Sequence, residues 1–434
     1  MRLLTRGIAW LPLLSLVFLT ACSGNGAVGK TIEIGVDLPL SGVEGQAGRP
    51  TLNGVRFYAH QHPVLDGYNV VVTARDDAVN GVHNPKRGAE NVTALVADPL
   101  VMGIIGPLDS SVARSAIPVA NKAYLAMISP SASNPCLTRD PFLPAALNPS
   151  RVAISCQAAS LPAPADLRPT STNNFFRLAA TDDLQGAAAA DFGYKNLHLL
   201  RVAVLSDHEA YGQALADSFR ARFTKLGGLV VSYLDFAPSN TLDLSAFFKQ
   251  AKADGAQAIY FGGSTANRGC AIRAQMATVF GTGAAIPYLG ADGIAEDPAC
   301  VRDAGSNAPG VYATVPVVDP IQDPVAKAAV DAFKADYRNS SDYGAYTMLA
   351  YNATAILYDA LDRAIGDASG KLPARRTVAD DVALTGTGAN RPFGFAPTGD
   401  TLHPVISIYE AQSTDPAAAW PWVGAIDYSA KPPY

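Results

Sequence analysis

Thr31-Ile32-Glu33-Ile34-Gly35-Val36-Asp37-Leu38 opens the regular pattern of this chain. Its apolar and β-branched run reads as a buried strand. A helical stretch over 48–60 follows, then a strand over 69–74, a helix over 86–96, a strand over 101–105, a helix over 110–121 and a short strand over 126–128. Strands alternating with amphipathic helices predict an α/β domain with a parallel sheet. After a break the rhythm resumes with a strand over 201–205, a helix over 211–226 and strands at 228–235, 256–261 and 287–290. A second α/β lobe, built like the first, is expected there. Helical stretches then occupy 324–337 and 343–364, and strands return only at 405–409 and 423–426.

A chain of 434 residues exceeds one ordinary core, which agrees with two lobes. Its 16% charged residues against 49% hydrophobic ones describe a globular protein. A net charge of −5 argues against nucleic acid as a partner, because phosphate binding needs concentrated Lys and Arg. The short basic pairs Lys86-Arg87 and Arg375-Arg376 read as solvated helix faces.

The N-terminus carries an export signal. Arg2 and Arg6 precede an apolar run over 8–19, which suits a signal peptide and is short for a membrane span. Leu19-Thr20-Ala21-Cys22 resembles a bacterial lipobox, so residues 1–21 are expected to be removed and Cys22 lipidated. Residues 22–30 then form a flexible tether. Four cysteines remain, and proximity pairs Cys136 with Cys156 and Cys270 with Cys300, although four cysteines allow three connectivities. Oxidised cysteines fit an exported protein, and no CxxC spacing suggests zinc. The stretch 135–174, rich in Pro, Ser and Ala and without a period, reads as a long insertion stapled by Cys136–Cys156.

Longer motifs carry a family resemblance. Ile34-Gly35-Val36-Asp37-Leu38-Pro39-Leu40-Ser41-Gly42, Asn53-Gly54-Val55, Arg75-Asp76-Asp77 and Ile104-Ile105-Gly106-Pro107 occur in order. Ser110-Ser111, Ile128-Ser129-Pro130-Ser131-Ala132-Ser133 and Ser206-Asp207-His208-Glu209-Ala210-Tyr211-Gly212 continue the series. Together they resemble the branched-chain amino acid binding lipoproteins of ABC transporters, over about 31–428 apart from the insertion.

The resemblance implies a type I periplasmic-binding fold: two Rossmann-like α/β lobes with parallel sheets, joined by a three-segment hinge and closing on ligand. The crossings are then expected near 177–179, 312–314 and 392–394. Lobe 1 comprises 31–178 plus 315–391, and lobe 2 comprises 179–314 plus 392–434. The implied function is the extracytoplasmic solute-binding part of an ABC importer. It would bind an amino-acid-like molecule and deliver it to a permease, acting as a monomer held to the membrane by its lipid alone. A ligand-sensing protein, or a receptor for amides, urea or aromatic acids, is the alternative.

The residues point to the same site. Ser110 and Ser111 follow a strand and open a helix, whose unsatisfied N–H groups suit a carboxylate. Ser131, Ala132 and Ser133 follow the next strand, and by resemblance this loop and Ser110 hold a ligand α-carboxylate. Read alone, Ser110 is more simply an N-cap; two serine-rich loops after successive strands favour binding. Tyr211 matches an aromatic that packs on ligand, and Asp292 in Leu289-Gly290-Ala291-Asp292-Gly293 matches the acid that holds the α-ammonium. Ser264 lies where the family often has an aromatic, and Gly45-Gln46-Ala47-Gly48 replaces another. That loss implies a larger ligand, a more polar one, or aromatic replacement from the insertion.

No catalytic constellation is apparent: the chain lacks GxSxG, HExxH, a Walker loop and a well-placed GxGxxG, so neither an enzyme nor a cofactor is expected. His60-Gln61-His62 has a spacing that separates its side chains on a helix, and reads as a surface turn rather than a metal pair. Asp76-Asp77 and Asp182-Asp183 read as solvated turn residues. Asn91-Val92-Thr93 and Asn352-Ala353-Thr354 match glycosylation sequons.

Overall fold

The computed structural model describes residues 30–434 except 146–151, 238, 240–242, 284, 323, 387–392, 419, 431–432 and 434. The signal peptide, Cys22 and nearly all of the tether therefore lie outside the described residues. In the first lobe, β1 (Lys30–Leu38) is central. Ile32, Ile34, Val36 and Leu38 form one fully buried face, while Gly35 on the other leaves room for Leu95. The sheet continues with β2 (Val64–Leu65), β3 (Tyr68–Asp76), β6 (Val101–Ile105), β7 (Ala126–Ser129) and β8 (Phe175–Arg177), in the order β2-β3-β1-β6-β7-β8. All its pairings are parallel except that of β2 with β3. A small hairpin of β4 (Ala78–Val79) and β5 (Val82–His83) projects from it. Helices α1 (Gly45–Gln61), α2 (Pro85–Ala97) and α3 (Ser110–Lys122) make the crossovers.

The second lobe has seven strands in the order β10-β9-β11-β12-β13-β14-β15. These are β9 (Arg201–Ser206), β10 (Leu229–Asp235), β11 (Ala258–Gly262), β12 (Tyr288–Gly290), β13 (Val311–Val315), β14 (Val405–Ala411) and β15 (Trp422–Asp427). Its helices are α4 (Asp182–Lys195), α5 (Ala210–Lys225), α6 (Ser245–Ala253), α7 (Gly269–Phe280) and α8 (Pro298–Ala304). Strands β9 to β13 pair in parallel, whereas β14 and β15 are antiparallel, so this sheet is mixed rather than wholly parallel. The reason is topological: β14 starts beside Val315, where β13 ends, and must run back along it.

Helices α9 (Pro324–Asp336), α10 (Thr347–Asp367) and α11 (Arg375–Ala383) return to the first lobe. The apolar stripe of α10, including Leu349, Ile356, Leu357 and Leu361, packs on β1, β6 and β7. Each such side chain stabilises the fold by about 1.5–3 kcal/mol when fully buried. Helices α1 and α10 approach so closely that a Cβ on Gly54 would lie 2.0 Å from the Thr347 carbonyl oxygen.

Three chain passages join the lobes and bond to one another. The Ala180 amide donates to the Pro316 carbonyl at 3.0 Å, and the Ser407 amide donates to the Val317 carbonyl at 3.1 Å. Phe393 and Phe395 pack in the first-lobe core, with the Phe395 ring 5.2 Å from that of Phe176. The third passage therefore lies beyond Asp400 rather than at 392–394. Apolar contact with Phe176 retains this segment on lobe 1 until it meets β14.

The insertion is more ordered than its composition suggests. It contains two 3₁₀ turns, Pro135–Leu137 and Pro164–Leu167, and a bridge between Leu143 and Ile154. Cys136 bonds Cys156, and Cys270 bonds Cys300. Phe142, Leu143 and Cys156 pack against Ala187 of α4 and Ala214 and Ala221 of α5. A loop that leaves the first lobe thus lies on the second.

Candidate functional site

A cleft of about 1240 Å³ separates the lobes. On the first-lobe wall, α3 begins with Ser110 and Ser111. Its first intrahelical bond is donated by Ala113 to the Asp109 carbonyl at 2.8 Å, so the earlier amides are free for a ligand. The Ser110 hydroxyl accepts from the Asn134 amide at 3.1 Å, and the buried Ser111 hydroxyl has no partner among the described residues. Ser131 donates from Oγ to the Leu108 carbonyl at 2.8 Å. Ser131 and Ser133 line the cleft, whereas Ala132 is buried behind it.

The 131–134 loop is held from beneath by Arg177, whose Nη1 donates to the carbonyls of Ala132 at 3.1 Å and Asn134 at 2.8 Å. Arg177 is fully buried and also bonds Thr138 and Asp400. Arg139 of the insertion pairs with Asp183 at the start of α4. Asp182 and Asp183 are therefore buried, as is Asp77, and the expectation of solvated turns fails for them. A helix N-terminus and an arginine supply what water would have supplied to Asp183.

Asp292 forms the opposite wall, in the turn after β12. Its Oδ1 accepts from the Tyr211 hydroxyl at 2.7 Å and from Gln185 Nε2 at 2.6 Å. The Tyr346 hydroxyl donates to Oδ2. Tyr211 also accepts from the Gly293 amide at 2.9 Å, which fixes the ring at the start of α5. Burial pushes the Asp292 carboxyl up to about 6 against the opposing pull of the bonds from Tyr211 and Gln185. A carboxylate has about four acceptor positions, so three donors leave room for an ammonium. Ser264 lines the same wall and accepts from the Asn267 amide at 3.4 Å.

Sequence reasoning missed Gln185 and Tyr346. The helical pattern over 343–364 absorbed Tyr343 and Tyr346, yet α10 begins at Thr347 and both tyrosines face the cleft from the preceding loop. Tyr346 belongs to the first-lobe core, so its bond to Asp292 crosses the cleft. Tyr343, Tyr346, Tyr409 and Trp420 supply aromatic lining, and none of the described residues of 135–174 lines this cavity. Among the described residues, aromatic lining thus comes from elements other than the insertion.

Glu44, His83 and Asp109 place ligand-type atoms within 4.8 Å of one another at the first-lobe rim. His83 Nδ1 lies 2.9 Å from Glu44 Oε1 and 3.2 Å from Asp109 Oδ1. Burial would lower the imidazole, but the two carboxylates outweigh it and raise it to about 10. A protonated imidazole occupies the place a metal cation would take. His60 and His62 do not cluster either: α1 runs to Gln61, and the His62 ring packs on Tyr58 at 4.5 Å. Asn91 is engaged by Asp37 at 2.8 Å and Asn352 is buried, so neither sequon is available to a glycan.

Two α/β lobes, a hinge of three chain passages and a cleft between them lined by both polar and apolar groups define a solute-binding protein of the cleft-closing kind. Residues 31–407 match the family described as periplasmic binding protein, and the chain belongs to that family. It is 27% identical over 405 residues to "Leu/Ile/Val-binding protein homolog 3" of Brucella melitensis, covering 92% of this chain and 97% of that one. It is 26% identical over 347 residues to the "Leucine-specific-binding protein" of Salmonella typhimurium, covering 79% and 82%. Its fold is similar to a leucine binding protein from Thermotoga maritima, with a TM-score of 0.73 and 24% identity over 91% of this chain and 99% of that one. A solute binding protein from R. palustris in complex with benzoate matches with a TM-score of 0.68 and 18% identity, over 91% and 96%. The family is one of substrate-binding proteins, and among the described residues no helix is long and apolar enough to cross a membrane.

Proposed function

We propose that this protein is the solute receptor of an ABC importer, exported and anchored through a lipid on Cys22, and that its ligand is an amino acid. One observation carries the reading: a helix N-terminus with Ser110 and Ser111 and an acid, Asp292, occupy opposite walls of one cleft. An α-carboxylate suits the first, and an α-ammonium suits the second through a charge-assisted bond. A zwitterion bridging both walls stabilises the closed lobes that a permease recognises. The relatives named for leucine, isoleucine and valine support the amino-acid class.

The experiment is a thermal-shift screen of residues 23–434 against amino acids, amides, urea and aromatic acids. A ligand at one hundred times its Kd adds about 2.7 kcal/mol of stability. Stabilisation by α-amino acids is the expected result. Stabilisation only by ligands without an ammonium, such as benzoate, removes Asp292 from its role.

A further inference from the structure

The insertion links the lobes by a route that the three passages do not take. Both of its ends are fixed to the first lobe. Leu137 and Leu167 pack in the core with Ile117, Met127 and Phe175, and Arg168 Nη1 donates to the Leu137 carbonyl at 2.8 Å, which holds the two ends together. The stretch between them rests on the second lobe instead, where Phe142, Leu143 and Cys156 are buried against Ala187, Ala214 and Ala221. The Cys136–Cys156 bond ties that resting part to the end beside Leu137. Ala214 and Ala221 lie about two helical turns apart and so share one face of α5, where small side chains give the insertion a flat seat.

Polar contacts follow the same path. Asn134 Nδ2, at the edge of the serine loop, donates to the carbonyl of Ala210 at the start of α5, at 3.2 Å. Arg139 Nη2 donates to the Thr181 hydroxyl at 3.0 Å and pairs with Asp183, and its Nε lies 3.8 Å from Asp400 Oδ2. One guanidinium of the insertion thus meets the first passage, the start of α4 and the segment that precedes the third passage. Opening the cleft rotates the second lobe away from the first. A segment with both ends on one lobe and its middle on the other has to slide or lift as that happens, and lifting exposes Phe142 and Leu143 to water.

We propose that residues 135–174 are an inter-lobe strap that limits how far the cleft opens and biases the unliganded protein toward the closed arrangement. The device rests on the cleft-closing fold and is independent of the ligand's chemistry. A ligand entering a cleft already drawn together has less closing to drive, which tightens binding.

The test measures the separation of the lobes directly. Spin labels are attached through Lys86→Cys on α2 and Lys249→Cys on α6, both exposed, in residues 23–434, whose four native cysteines are held in disulfides. Double electron–electron resonance without ligand compares this parent with two variants. Phe142→Ala with Leu143→Ala removes the grip of the strap, and Ala214→Glu places a charge beneath it while altering no residue of the strap. Each is made also with Tyr346→Phe, so that the bond to Asp292 does not mask the effect. A longer and broader separation than the parent's is expected in both variants. Circular dichroism melts report folding, and Ala214→Glu decides alone should the strap variant not fold. Separations equal to or shorter than the parent's in both backgrounds overturn the strap as a restraint and leave the binding reading untouched.

Discussion

Arg177 donates from Nε to Oδ1 of Asp400 at 2.7 Å, joining positions 223 residues apart in the chain. The same guanidinium supports the serine loop through the carbonyls of Ala132 and Asn134, and so ties the loop to the segment that precedes the third lobe passage. Removing one partner of a buried pair leaves the other charge uncompensated. Arg177→Met is expected to lower stability by about 3–5 kcal/mol, read as a fall in the urea midpoint. An unchanged midpoint would contradict a structural role for the pair.

The pair also sets an acid limit. Burial tends to raise the Asp400 carboxyl, but Arg177, Thr138 and Arg139 outweigh it and hold it below the usual carboxylate range. A depressed folded value means the contribution is complete above the unfolded value and is lost as pH falls through the folded one. Melts between pH 7 and pH 2 are expected to show less acid destabilisation in Asp400→Asn than in the wild type, because the variant has already lost this contribution.

Ligand affinity has its own pH dependence. With Asp292 near 6 in the unliganded cleft, an ammonium ligand meets a mostly protonated acid at pH 5. Affinity is expected to fall as pH drops through 6, by roughly tenfold per unit below it. Asp292→Asn is expected to bind about 2 kcal/mol more weakly at pH 7.5 and to lose this slope. Titration calorimetry at four pH values checks both, and a flat wild-type profile would count against an ammonium at Asp292.

Tyr346 reaches across the cleft to Asp292. Tyr346→Phe deletes that bond and keeps the ring in the first-lobe core. Small-angle scattering is expected to give a larger radius of gyration for the unliganded variant than for the unliganded wild type. Equal radii would mean that this bond does not hold the lobes together.

The disulfide at the insertion closes a separation of 20 residues. Loss of such a link costs about 3 kcal/mol in the chain-entropy account. Cys136→Ser with Cys156→Ser is expected to lower the melting temperature and to expose the loop to protease. Proteolysis unchanged from wild type would show that packing on α4 and α5 alone holds the strap.

Much of the fold was legible. The strands at 31–38, 101–105 and 201–205 and the helices α1, α2 and α5 lie within a few residues of their expected spans, because burial imposes its period directly on adjacent residues. Tyr343 and Tyr346 were misread because tyrosine fits a helical apolar stripe and a cleft wall equally well. Gln185 carried no signal at all, since its bond to Asp292 spans 107 residues. The insertion has no period, so its packing against α4 and α5 had no trace in local pattern.

The sequence by itself determined two α/β lobes and the family to which the chain belongs. These depend on local periodicity and on ordered motifs. Tertiary structure decided which acids matter. Asp183 is neutralised by Arg139, Asp400 by Arg177, and Glu44 and Asp109 by His83, whereas Asp292 faces the cavity on the neutral donors Tyr211, Gln185 and Tyr346. A carboxylate's charge and availability are set by what the fold brings within a few ångströms, and those neighbours come from distant parts of the chain.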